Sequence, residues 1–251
     1  MRPRTAQFAD ASASCLALGL LSLWGAAAHS LTISPVLVEL SPSRRIVSIS
    51  VANPSERALT LQTQTLAWDQ PNGLDHYAPT EDLIVVPPIA TVGAGQTQIF
   101  RVTMRTLEHA QEQAYRLILE DVTELVAAPA PTAETAAIKI HFNHNLPVFF
   151  SGAAKAAPQP RLGRCTSAEP AISPASACLQ FNNDGGRYLT IKSLAVNGAN
   201  LHLQIKVGSR VLAGAWRQWA LELPPRFAGT LNATAETSAG PVEFEWQVPG
   251  R

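Results

Sequence analysis

Apolar and polar residues alternate with a period of two along most of the chain beyond residue 30, and a sustained helical period appears nowhere. That period sends successive side chains to opposite faces of an extended strand, one face for a core and the other for water. The stretches "LTISPVLVEL", "RIVSISVAN", "LTLQTQTLAW", "DLIVVPP", "TQIFRVTM", "AYRLILEDV" and "IKIHFNH" follow this alternation or form short β-branched runs, which predicts seven strands before residue 150. Between them "NPSER", "DQPNG", "VGAGQ" and "RTLEHAQEQ" carry the Asn, Pro, Gly and polar residues of turns. Seven short strands in that span predict an immunoglobulin-like sandwich over 31–150.

The Ala- and Pro-rich "SGAAKAAPQPR" at 151–161 predicts a domain boundary. Beyond it "ACLQFNNDGGRYLTIKSLAVNG", "LHLQIKVGSRVLAG", "RQWALELPPR" and "PVEFEWQVPG" again read as strands, so a second β-sandwich is expected over 151–251 and the fold class is all-β. In "DGG", Gly185 and Gly186 are expected to serve a turn with positive φ rather than a phosphate cradle.

Residues 1–30 stand apart from this pattern. A basic start, "MRPR", precedes "CLALGLLSLWGAAA", an apolar run too short to span a bilayer comfortably, and then small residues suited to cleavage; together they predict a secretory signal peptide. Its removal leaves seventeen basic and eighteen acidic residues in a chain whose full sequence is neutral, and no stretch is set up for membrane insertion. Near-neutrality gives no electrostatic footprint for nucleic acid. Cys15 leaves with the signal, so Cys165 and Cys178 are the cysteines of the exported chain, and an oxidising compartment predicts their disulfide, worth about 3 kcal/mol by chain entropy.

Candidate chemistry is sparse. His141 and His144 in "HFNHNLPVFF" would share a helix face, but the alternation makes this a strand, which sends them to opposite sides; no metal site is expected. Glu81 and Asp82 diverge in the same way. G-x-S-x-G, H-E-x-x-H and a Gly-rich dinucleotide turn are all missing, so the sequence does not read as an enzyme, and no cofactor is implied.

Four blocks, taken in order, resemble a known family: "LTISPVLVELSPSRRIVSISVANPSERALTLQTQTLAWDQ", "PTEDLIVVPPIATVGAGQTQIFRVTMR", "AYRLILEDV" and "NLPVFF", with a milder match in "LQFNNDGGRYLTIKSLAVNG". They resemble the periplasmic pilus-assembly chaperones of the chaperone/usher pathway, especially the archaic branch that serves spore-coat-like pilins. The resemblance implies two immunoglobulin-like sandwiches set at an angle. It implies a periplasmic protein that binds pilin subunits by lending them a β-strand and passes them to an outer-membrane usher. The lent strand would fall in 125–142, with Leu125, Val126, Ile138, Ile140 and Phe142 as its apolar positions, although "AAPAPTAETAA" between them is weakly apolar and its prolines cannot donate hydrogen bonds. The family also anchors the pilin's terminal carboxylate on basic side chains in the cleft between domains. The first strand here has no Lys or Arg, which leaves Arg116, Lys139 and Arg101 as the anchor candidates.

The competing reading is an exported β-sandwich adaptor or carbohydrate-binding module. It would need aromatic rings exposed on one sheet face, with Trp216, Trp219 and Trp246 as the candidates.

Overall fold

A computed structural model of the protein describes residues 31–123, 143–152, 156–165, 176–224 and 226–248. Up to residue 150 the strands form two sheets. One runs Thr32–Ser34 (β1), Ile46–Ala52 (β3), Thr97–Met104 (β8) and Leu83–Val86 (β6). The other runs Val38–Leu40 (β2), Asn143–Phe150 (β10), Gln113–Asp121 (β9), Leu59–Asp69 (β4) and His76–Pro79 (β5), with Ile89–Val92 (β7) on the far end of β4. The alternation decides what lies between them: Val47, Ile49 and Val51 of β3, Phe100 and Val102 of β8, Leu117 and Leu119 of β9, and Leu146, Val148 and Phe150 of β10 share one core. Each such side chain contributes roughly 1.5–3 kcal/mol of transfer free energy.

"LTISPVLVEL" departs from the single strand expected. It is broken after Ser34, and its halves join different sheets: β1 pairs antiparallel with β3, and β2 pairs parallel with β10. Pro35 lacks the N–H that would have carried one ladder through. The chain likewise crosses between sheets after "DLIVVPP", so β7 is a strand of its own. Neither β7 nor β5 was expected, because four residues make too short an alternation to stand out.

Beyond residue 156 a second pair of sheets forms. Pro160–Arg164 (β11), Ser176–Asn183 (β12) and Trp216–Glu222 (β15) make one; Leu201–Val211 (β14), Leu189–Gly198 (β13), Gly229–Thr237 (β16) and Gly240–Val248 (β17) make the other. Leu179, Phe181, Leu189, Ile191, Leu194 and Leu231 are fully buried between them. Pro160 and Arg161, expected in the linker, open β11. Cys165 and Cys178 are bonded beside the β11–β12 pairing, their Cα atoms 5.4 Å apart.

The two halves share a corner device. Asn53 after β3 donates from Nδ2 to the carbonyls of Arg57, Val92 and Gly93; Asn183 at the end of β12 donates to those of Arg187, Val211 and Leu212. Both side chains are buried, and each ties three carbonyls from two separate segments to one corner. In sequence the device is Asn, three residues, Arg, then Leu-Thr one residue on, in "NPSERALT" and "NDGGRYLT".

Gly185 and Gly186 are glycines for a reason other than the positive φ expected of them, since neither adopts it. A Cβ on Gly185 would stand 2.3 Å from the Ala157 carbonyl oxygen and 2.4 Å from the Gln159 nitrogen, and one on Gly186 would stand 2.6 Å from the Ala157-side neighbour Ala156 Cβ. The interdomain segment is laid directly on this turn. Gly185→Ala is therefore expected to lower stability by about 1–3 kcal/mol through overpacking, measured by urea denaturation. An unchanged midpoint would mean that residues 156–159 can lift off the turn freely.

Candidate partner-binding cleft and strand edge

The outer face of the five-strand path meets the second domain. Ser151 donates its N–H to the Leu40 carbonyl on β2, so in the regular β10 ladder the odd-numbered backbone groups point to the β2 side. Pairing with β2 covers only Val148 to Phe150. Residues 143–147 therefore have β9 on one side and no paired strand on the other among the described residues. The backbone groups of Asn143 and Asn145 face that open edge, and Pro147 is tolerated there because its missing N–H falls on the unpaired side. "HFNHNLPVFF" is thus a strand from Asn143 onward, running straight through Pro147, while His141 lies outside the described residues.

Arg116 stands directly across from Pro147 on β9, between the buried Tyr115 and Leu117. Its guanidinium carbon lies 3.8 Å above the Trp68 ring and 5.6 Å from the Tyr77 ring centre, and its Nη2 donates to the Tyr77 hydroxyl at 3.5 Å. Trp68 then meets Phe149 with ring centres 5.8 Å apart, and Phe149 stacks flat on Tyr188 of the second domain at 3.6 Å. Trp68, Phe149 and Leu212 form a small core of their own across the junction.

Polar contacts fix the same junction. Gln70 donates to the Arg210 carbonyl and accepts from the Leu212 N–H, both at 2.9 Å. Asp75 accepts from Trp68 Nε1, Gln70 and Arg217. Burial would raise its carboxyl pKa, but those donors and the Arg217 charge together hold it below the usual value. Glu112 is the opposite case: burial pushes its carboxyl up although it accepts the Tyr188 N–H at 2.6 Å and faces Arg187. Tyr188 donates its hydroxyl to Glu39, and burial, reinforced by that carboxylate, pushes the phenol up to about 12. A cleft of about 380 Å³ lies alongside, lined by Trp68, Gln70 and Glu112 on one domain and Leu212 and Ala215 on the other.

The residues expected to matter are distributed unevenly. Arg116 lies at the junction. Arg101 is exposed on the opposite sheet, paired with Ser48 and Val86 and away from the second domain. Leu125, Val126, Ile138, Lys139, Ile140 and Phe142 lie outside the described residues. Of the three tryptophans proposed for a sugar surface, Trp246 is buried and stacks on Phe244, Trp219 packs on the second core, and Trp216 covers Gly73. No group of three or more metal-capable side chains occurs among the described residues, and none of their helices is long and apolar enough to cross a membrane. Gln70, Asp75, Glu112, Phe149, Tyr188 and Arg210 went unnoticed in the sequence. The one available signal was the apolar "PVFF", which has a phenylalanine on each face and so asks for two cores rather than one.

Residues 30–154 match the family described as pili and flagellar-assembly chaperone, PapD N-terminal domain. No curated protein sequence matches the chain. Among solved structures, a chain of the CsuC–CsuE chaperone–tip adhesion subunit pre-assembly complex from archaic chaperone-usher Csu pili of Acinetobacter baumannii is similar at a TM-score of 0.62, with 16% identity over 88% of this chain and 98% of that one. The E. coli chaperone DraB is similar at 0.56, with 14% identity over 88% and 99%. A chain of the Salmonella enterica SafA pilin complex with the SafB chaperone is similar at 0.55, with 16% identity over 87% and 97%. These likenesses show the fold, two β-sheet domains consistent with tandem immunoglobulin-like sandwiches.

Proposed function

We propose, from the premise that residues 30–154 place the chain among the periplasmic chaperones of the PapD/usher superfamily, that it captures pilin subunits by β-strand pairing and hands them to an outer-membrane usher. The open edge of β10 carries this reading. An incomplete sandwich with an unpaired edge gains main-chain hydrogen bonds from such a strand and buries its exposed apolar groove under the strand's side chains. In this reading the upstream segment 125–142 supplies the rest of the lent strand, with Leu125, Val126, Ile138, Ile140 and Phe142 as its apolar positions. Arg116 meets the pilin's terminal carboxylate at the other end, and Lys139 is the second basic candidate. The archaic branch is the finer assignment, and it rests on the four sequence blocks that resemble it. Delivery to the periplasm by cleavage of residues 1–30 belongs to the same reading.

The test uses the backbone itself. Asn145→Pro deletes a donor on the open edge and leaves the β9 ladder intact, as Pro147 already does two residues on. Co-expressed with a pilin subunit from the same genome, the wild-type protein is expected to co-purify with that pilin and protect it from degradation. The variant should retain its melting temperature and recover at least about tenfold less pilin, the loss of one hydrogen bond and its register. Equal recovery would remove the edge from the binding surface, and a wild-type protein that protects no pilin would sink the chaperone reading.

A further inference from the structure

The second sandwich has an open flank. β14 and β15, consecutive in the chain, each end their sheet, so neither has a second strand neighbour among the described residues. At the opposite flank β11 runs close beside β17. Leu194 and Val196 of β13, in the middle of the sheet, are fully buried, whereas Leu203, Ile205 and Val207 of β14 and Trp219 of β15 are half-buried against the same core. Between the two edges lies a groove of about 310 Å³, lined by Ile205, Val207, Ser209 and Trp219 and by Leu74 of the first domain, which is 70% exposed. The Ser209 hydroxyl is buried without a hydrogen-bond partner among the described residues, where such groups are ordinarily satisfied.

One end of the β14 edge already holds a guest. Thr190, opposite Arg210, bonds through its N–H and its carbonyl to Ser238 on the β16 side. Arg210 therefore turns its own backbone groups away from β13, to the open side. There the Gln70 side-chain amide of the first domain donates to the Arg210 carbonyl and accepts from the Leu212 N–H. A residue of a parallel strand bonds to its neighbour in the same way, to groups two residues apart. Beyond this rung no strand pairs with residues 201–209 on that side among the described residues. The ladder with β13 shifts between Ser209 and Lys206, and Gly208 there takes a φ of 56°, so the straight run open to a further strand is 201–206.

Charge decides what that strand carries. β13 and β14 contain Lys192, Lys206 and Arg210 and neither Asp nor Glu, and His202 and Lys206 are exposed on the water-facing side of β14. Asp75, which lines the groove, is engaged by Trp68, Gln70 and Arg217. Two copies of β14 laid edge to edge would set these cations against each other, whereas acidic side chains at alternate positions of a guest strand would pair with them. A period of two then sends the guest's remaining side chains into the apolar groove.

We infer that the edge of β14 is a second strand-docking site, for a partner strand that alternates apolar residues toward the groove with acidic residues toward water. Main-chain hydrogen bonds to residues 201–206 hold the guest, the groove receives its apolar side chains, and His202 and Lys206 select its charge. The site is on a different domain from the β10 edge, and its occupancy is independent of pilin capture there.

The probe is a fluorescein-labelled peptide alternating Val and Glu between Gly-Ser flanks, compared with a peptide that has Lys in place of Glu. Fluorescence anisotropy should show saturable binding of the acidic peptide and binding at least about fivefold weaker for the basic one. No saturable binding, or no preference between the two, overturns the site. Amide hydrogen exchange in the complex should slow at residues 201–206, and slowing confined to 143–147 places the peptide on β10 and overturns it. Lys206→Glu alters an exposed side chain, so it should keep the wild-type melting temperature and bind the acidic peptide about fivefold more weakly. Undiminished binding by that variant overturns the charge selection and with it the proposed partner. A wild-type dimer in sedimentation velocity that slows exchange at 201–206 without any peptide would make the occupant a second copy, which also overturns the acidic partner.

Discussion

Arg116→Ala is expected to weaken pilin binding by about 2–5 kcal/mol, read as faster dissociation, because truncation leaves a partly desolvated carboxylate without its fork. Position makes this the largest effect on capture. Arg116 lies one strand in from the open edge, across from Pro147, and Trp68 beneath it limits the directions in which the guanidinium can move. Loss of the ring contact alone would cost the free protein about 0.5–2 kcal/mol, so the melting temperature must be recorded beside the dissociation rate. Lys139→Ala should cost less, since an ammonium is a mobile point charge that water competes for. Arg101→Ala should leave capture unchanged, because that side chain is exposed on the far sheet. Dissociation no faster than wild type in Arg116→Ala would end its role as an anchor.

Phe149→Ala is expected to lower stability by about 3–5 kcal/mol, with the loss falling on the junction more than on either core. The ring is fully buried yet belongs to neither sandwich interior: it lies between Trp68 on one side and Tyr188 on the other. Its neighbour Phe150 faces the first core, so Phe150→Ala is the matched control. Urea denaturation should turn from one transition into two for Phe149→Ala and stay single, at a lower midpoint, for Phe150→Ala. A single transition in both variants would mean that the polar contacts of Gln70, Asp75 and Glu112 couple the domains without the stack.

The alternation of "QIFRV" and "YRLIL" made β8 and β9 legible, and with them the sandwich, because β-branched and aromatic residues on one face leave little choice of period. β16 was missed for the converse reason: its buried positions are Leu231, Ala233, Ala235 and Thr237, and two alanines and a threonine carry almost no hydrophobic signal. Arg116 was legible as a charge in the middle of an apolar strand. Its setting was not, since Trp68, Phe149, Tyr188 and Arg210 come together from segments that together span more than 140 residues of sequence. Asn53 and Asn183 could have been found by looking for the same Asn–Arg–Leu–Thr spacing twice in the chain.

Pro147 has a further effect on any strand that docks beside β10. A strand arriving at the open edge finds donors at Asn143 and Asn145, a gap at Pro147, and from Val148 onward a lane already occupied by β2. Sliding by two residues toward β2 would exchange a donor for that gap and then collide. A second copy of the protein laid edge to edge would meet the same gap from its own Pro147, which discourages the symmetric sheet extension to which exposed strand edges are prone. One residue without an N–H thus acts as an end stop, setting how far a guest strand can run and turning away the protein's own twin.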